Sequence, residues 1–149
     1  MRIAMSADHA GFEMKDQLAD WLRADGHEVI DLGTNTGESV DYPRYGALLA
    51  EALKDGRAER GIVVCGSGIG VAIAANRNPA CRCAQVAEPV SAALARQHND
   101  CNAIALGARL IGPEMAKACV TAFLTSDFIG GRHQRRVDQL ANPSEQEPA

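Results

Sequence analysis

A chain of 149 residues, 46% hydrophobic and 23% charged, is long enough for one domain with a sizeable core, and its net charge of −4 argues against a nucleic-acid binder. With no signal-peptide pattern and no apolar run near about eighteen residues, a soluble cytoplasmic protein is expected, with no membrane partner. Five cysteines without zinc-type spacing point to free thiols in a reducing compartment.

Along the chain, short apolar runs alternate with helical patterns. Arg2–Ser6 reads as a buried strand. Asp8-His9-Ala10-Gly11 turns into a helix carrying Met14, Leu18, Trp21 and Leu22 at helical spacing, which Gly26 stops. A second strand, Glu28–Leu32, leads into a polar loop, Gly33–Ser39. Asp41 is placed to cap the next helix, with Pro43 in its first turn; Tyr45, Leu48, Leu49, Ala52 and Leu53 share one face, and Gly56 ends it. After a third strand and helix come a fourth strand, Arg82–Val86, and a helix from Glu88-Pro89 to about His98. The fifth strand is Ala103–Leu106, and Gly112-Pro113 opens a helix through Phe123. Beyond Gly130-Gly131 lies a basic segment, Arg132–Arg136. Residues 1–141 read as one domain, and 142–149 as a polar, frayed tail.

The third strand, its glycine turn and the helix after it, Ile62–Asn76, form the most informative stretch. A β-branched run, Ile62-Val63-Val64, meets Cys65 and then Gly66, Gly68 and Gly70, and Val71–Ala75 begins a buried helix. Strand, glycine turn and helix make an anion-binding architecture, because glycine lets the backbone approach a ligand and helix N-terminal N–H groups face negative charge. Such a field favours thiolate over thiol at Cys65. No Lys-Ser/Thr pair follows, which excludes a triphosphate P-loop, and the G-x-G-x-G spacing is a poor dinucleotide fingerprint. A tight turn with a buried core cysteine is the plain alternative.

Five strands alternating with helices predict an α/β, three-layer Rossmann-like fold with a five-stranded parallel sheet. Ligands bind such sheets at strand carboxyl ends where the order reverses. For Asp8-His9 and Cys65 to share one site, strands one and three must be neighbours, which favours the order 2-1-3-4-5.

Other polar groups have both plain and functional readings. Asp8 suits a helix cap, His98 a helix-end dipole contact, and Arg109 a surface charge. Arg132, His133, Arg135 and Arg136 suit either a solvated face or a phosphate site. Taken together, SADHAGF at Ser6–Phe12, DYP at Asp41–Pro43, CGSGIGVAIAAN at Cys65–Asn76, ARQHNDCNAIALGAR at Ala95–Arg109 and GGRHQRR at Gly130–Arg136 resemble the sugar-phosphate isomerases that include ribose-5-phosphate isomerase type B and the galactose-6-phosphate isomerase subunits. The resemblance spans all but the tail.

It implies that Cys65 is the base moving a proton between C1 and C2 of ribose 5-phosphate and ribulose 5-phosphate. It further implies that the turn Gly66, Ser67, Gly68, Ile69 and Gly70 holds the enediolate, Ser67 adding a hydroxyl. His98 would open the furanose ring, while Asp8, His9 and Asn99 bind sugar hydroxyls. Arg109, Arg132 and Arg136 would hold the phosphate, with assistance from His133. Val71 stands where some members of the family carry a glutamate base, which leaves Cys65 as the candidate. The implied chemistry needs a base and an oxyanion stabiliser, with neither metal nor redox cofactor. The competing class is a phosphate-binding module without turnover; within the enzymes, the rivals act on allose, galactose or tetrose phosphates.

His98 ends a helix that leads into a strand, so it belongs at the amino edge of the sheet, opposite Cys65. A homodimer, or a dimer of dimers, with sites shared between subunits is therefore expected.

Overall fold

In the computed structural model, which describes residues 1–145, five parallel strands form one sheet: β1 (Arg2–Ala7), β2 (Glu28–Asp31), β3 (Arg60–Cys65), β4 (Cys83–Gln85) and β5 (Ala103–Gly107). The helices between and after them are α1 (Phe12–Ala24), α2 (Tyr42–Lys54), α3 (Ile69–Asn76), α4 (Pro89–Asn99), α5 (Pro113–Thr125) and α6 (Arg132–Ala141). This is the expected three-layer class. The side chains of β3 alternate with the strand period: Ile62 and Val64 join the core packed by α1, α4 and α5, whereas Val63 and Cys65 join the core under α2 and α3. Residues at β5 divide the same way, with bulky Ile104 and Leu106 on the first side and small Ala103 and Ala105 on the second.

The strand order is β2-β1-β3-β5-β4, so the expected neighbours β1 and β3 pair but the last two strands are exchanged. The reason lies in the residues. All five residues of β5 are buried, as a central strand requires, whereas β4 has three residues and its Gln85 is exposed, which suits an edge.

Three further expectations are corrected. Asp41 occupies the N-cap position of α2, but its side chain caps nothing. Asp8 does not cap α1, whose N-cap position is Gly11 with no side-chain bond; the basic segment forms the helix α6, which buries only His133 and Val137. α3 is not wholly buried: Ile69 and Ile73, one turn apart, are 55% and 61% exposed. Of the expected tail, Pro143–Glu145 form a 3-10 turn, and the remainder lies outside the described residues.

Lys15 breaks the apolar pattern of α1. Its side chain is fully buried, and Nζ donates to Asp31 Oδ1 (2.8 Å), Asp16 Oδ1 (2.9 Å) and Asn35 Oδ1 (2.9 Å). An amine so deep is tolerable only when its charge and all three donors are matched. The same loop is bonded to the end of β1, Ala7 N–H to Gly33 O and Thr34 N–H to Ala7 O, each 2.8 Å. Farther along, the Val40 N–H reaches His9 Nδ1 at 3.1 Å.

Candidate active site

β3 delivers Cys65 to the carboxyl edge, and the next residues cannot continue the strand. Gly68 has φ +78°, in the left-handed region, and a Cβ there would lie 2.9 Å from the Leu106 carbonyl carbon. Only glycine meets both demands without strain. The turn folds back so that the Gly68 N–H donates to Cys65 Sγ at 3.1 Å, and α3 starts at Ile69. Gly70 has a different role: Tyr42 lies against it, and a Cβ there would come within 2.5 Å of the ring.

Because β5 pairs with β3, the chain after β5 runs beside this turn. Ala108 N–H donates to Cys65 O (2.9 Å) and Arg109 N–H to Gly66 O (3.0 Å), and the Arg109 guanidinium lies over Gly66. With β4 between them, as the order 2-1-3-4-5 would have it, Arg109 would sit one strand farther off, by about 4.8 Å. The exchanged order is therefore what brings an arginine to the cysteine.

These groups line an open cleft of about 520 Å³. Asp8, Cys65, Gly66, Ser67, Ile69, Gly70 and Arg109, candidates from the sequence, all line it. Tyr42, Ile73 and Leu110 also line it and had been given no role. The signal for Tyr42 was available: an aromatic residue opening the helix that packs on α3. Asp8 does not cap α1: its Oδ1 accepts from the N–H groups of Ala10 (3.0 Å) and Gly11 (3.2 Å), in the turn that precedes the helix. His9 Nδ1 is an acceptor, so the neutral ring carries its proton on Nε2. Ser67 Oγ accepts from Ile69 N–H (3.2 Å).

The remaining candidates lie elsewhere. His98 and Asn99 end α4, at the amino edge of the sheet. Cys65 is level with Gly107 and Gly61 with Ala103, so four residues of strand, about 13 Å, separate the two edges. Asn99 lines a second cavity of about 400 Å³ with Cys81, Cys83, Cys101 and Leu140. The turn after it is clamped: Asp100, at φ 46°, accepts from Arg96 (2.8 Å) and Arg82 (3.2 Å). Arg132 and Arg136 are exposed on α6, which packs on α4. His133 is buried there, its ring stacked on His98. One chain thus brings together the thiol, the glycine turn and Arg109, but not His98, Asn99, Arg132 or Arg136.

All five cysteines are free and buried, yet their settings differ. Burial pushes the Cys81 thiol up to about 12 and the Cys101 thiol up to about 11. Cys83 is raised well above the ordinary range by burial, then by its two neighbouring thiols, and Cys119 is raised by burial. Those four are packing groups. Cys65 is the one that borders the cleft and takes a backbone donor.

The fold and cleft define an open α/β protein with a cleft at the strand carboxyl ends, lined by a cysteine and a glycine turn. The sequence profile described as Ribose/Galactose Isomerase matches residues 3–140, and the chain belongs to that family. Ribose-5-phosphate isomerase B of Escherichia coli K12 is 45% identical over 139 residues, covering 93% of each chain. The D-erythrulose-4-phosphate isomerase of Pectobacterium atrosepticum is 41% identical, covering 99% of this chain and 97% of its own. Ribose-5-Phosphate Isomerase B of Clostridium thermocellum superposes with a TM-score of 0.95 at 44% identity, covering 97% of this chain and 98% of that one.

Proposed function

We propose that the protein interconverts ribose 5-phosphate and ribulose 5-phosphate through an enediolate. The observation that carries this reading is the pairing, in one cleft, of the Cys65 sulfur with a turn of backbone N–H groups. Cys65 takes the C2 proton of the open-chain aldose and delivers it to C1, while the proton of the C2 hydroxyl passes to O1 and O2 becomes the ketose carbonyl. Negative charge that develops on O1 is met by the Ser67 hydroxyl and by N–H groups of the Gly66–Gly70 turn, those of Gly68 and Ile69 giving up Cys65 Sγ and Ser67 Oγ to do so. Asp8, His9 and Asn99 bind sugar hydroxyls; Arg109, Arg132 and Arg136 bind the phosphate. The substrate's overall oxidation state is unchanged, so no redox cofactor is called for.

Before this step, the furanose must open. The C1–O4 bond breaks with its electron pair going to O4, which takes a proton from His98; the C1 hydroxyl becomes the carbonyl and its proton passes to water. We assign His98, Asn99, Arg132 and Arg136 to a neighbouring subunit, because within one chain they stand at the opposite edge from Cys65. Support comes from the cleft rim, where Ile69, Ile73 and Leu110 are 55%, 61% and 63% exposed, an apolar border that a second copy would cover. The active unit is then a homodimer, or a dimer of dimers, with shared sites. Five free thiols suit the cytoplasm, and among the described residues no helix is long and apolar enough to cross a membrane.

The test is a coupled assay of purified protein, without added metal, on four-, five- and six-carbon aldose phosphates. Turnover fastest with ribose 5-phosphate is expected. The similarity to a relative named D-erythrulose-4-phosphate isomerase supports a second reading, a tetrose phosphate substrate, which the same assay would reveal. Binding without turnover of any of them would leave only the phosphate-binding module.

A further inference from the structure

His133 is the one residue of the basic segment Arg132–Arg136 that turns inward. Its ring lies face to face with His98, centroids 4.4 Å apart and planes 14° from parallel. α6 is held in place to make this contact. Val137, one turn on, is buried with it, and the loop before α6 is tied to α4 by the Ile129 N–H to Gln97 O bond (3.0 Å). His98 itself is half-buried on the last turn of α4.

We infer that His133 is a positioning residue for ring opening: its ring fixes the plane in which His98 meets the sugar's ring oxygen. The inference rests on the ring-opening role proposed above for His98. A plain phosphate ligand would instead face outward with Arg132 and Arg136, which are exposed. A flat contact restrains tilt while leaving the edge nitrogens of His98 free, which is what a proton donor requires. Misplacement of such a group by about 1 Å is costly, up to roughly 10²-fold in rate.

The chemistry of two substrates separates this role from others. An aldopentose 5-phosphate closes to a furanose through O4 and must be opened. A tetrose 4-phosphate has O4 esterified, cannot form that ring, and needs no opening. The experiment compares the parent with His133→Ala, His133→Leu, His133→Phe and His98→Asn on ribose 5-phosphate and erythrose 4-phosphate. His133→Ala should lower kcat on ribose 5-phosphate about tenfold with KM nearly held, as expected for lost orientation. His133→Phe, which restores a flat ring, should recover most of that loss. His133→Leu fills the space without the flat face and gives the same reading if the alanine variant fails to fold. On erythrose 4-phosphate all three should stay close to the parent, and if that sugar is not turned over, the kcat-against-KM split and the rescue by phenylalanine decide.

A rise in KM for both substrates, unrelieved by phenylalanine, would make His133 a phosphate ligand and overturn the inference. His98→Asn separates the role of one histidine from that of the other. If its defect is no greater on the pentose, the ring-opening role of His98 fails. If His98→Asn shows the substrate dependence and His133→Ala does not, only the inference about His133 fails.

Discussion

The two edges of the sheet are built from different materials. At the carboxyl edge, Cys65 and the glycine turn are fixed by backbone: strand pairing of β3 with β5, the left-handed Gly68, and amide donors that no side-chain rotation can misplace. At the amino edge, His98 and His133 are side chains near helix ends, held against each other by stacking, and Arg132 and Arg136 stand exposed on α6. Proton transfer at carbon tolerates little displacement, whereas phosphate capture is served by groups that reach. Rigid chemistry on one edge and reach on the other is a division that a two-subunit site makes usable.

If that division holds, Cys65→Ala should have the largest effect, lowering kcat by about 10² or more while sugar-phosphate binding persists. Near-normal turnover would return Cys65 to the packing thiols. Subunit exchange tests the pairing of edges directly. Mixing inactive Cys65→Ala with inactive His98→Asn should restore activity, to about a quarter of the parent's under random pairing, since each mixed dimer has one intact site. Proven exchange with no recovery would mean both residues serve one chain's site. Arg132→Ala and Arg136→Ala should each raise KM roughly 10- to 100-fold, the worth of a charge-assisted contact, and matter less for a substrate without phosphate. Unchanged KM in both variants would reduce α6 to a solvated face. On stability, Gly68→Ala puts a side chain at φ +78°, which alone costs about 1–2 kcal/mol, and a Cβ 2.9 Å from the Leu106 carbonyl carbon, so the melting temperature should fall by at least several degrees. A calorimetric scan indistinguishable from the parent would mean the turn is not rigid.

The carboxyl edge was legible because its signals are local. Three glycines after a β-branched run state a turn, and the structure has it between β3 and α3. Less was legible where the structure depends on what meets what. The exchange of β4 and β5 turns on relative burial of two short runs, and Arg82–Val86 looked as good a strand as Ala103–Leu106 until packing chose between them. α6 hides its helical period because His133 and Val137 are the only inward residues in ten. Its stack on His98 joins positions 35 apart, which no spacing rule anticipates. Lys15 was invisible for the same reason, its partners Asp31 and Asn35 arriving from another element.

That buried amine bears on traffic through the cleft. The segment from Gly33 to Val40 ends two residues before Tyr42, a wall of the cleft, and it is fastened by Lys15, by the end of β1 and by His9. Loops that act as lids are drawn from the least stable parts of a fold, where few bonds must break for them to swing. This one is fastened at both ends, at Gly33–Asn35 and at Val40, so its margins form a door frame and not a door. Substrate must then come and go past a fixed margin, and release of product is not gated by local unfolding there. Amide deuterium exchange at Thr34 and Val40 should accordingly be as slow as in β1, and unaltered when a sugar phosphate binds.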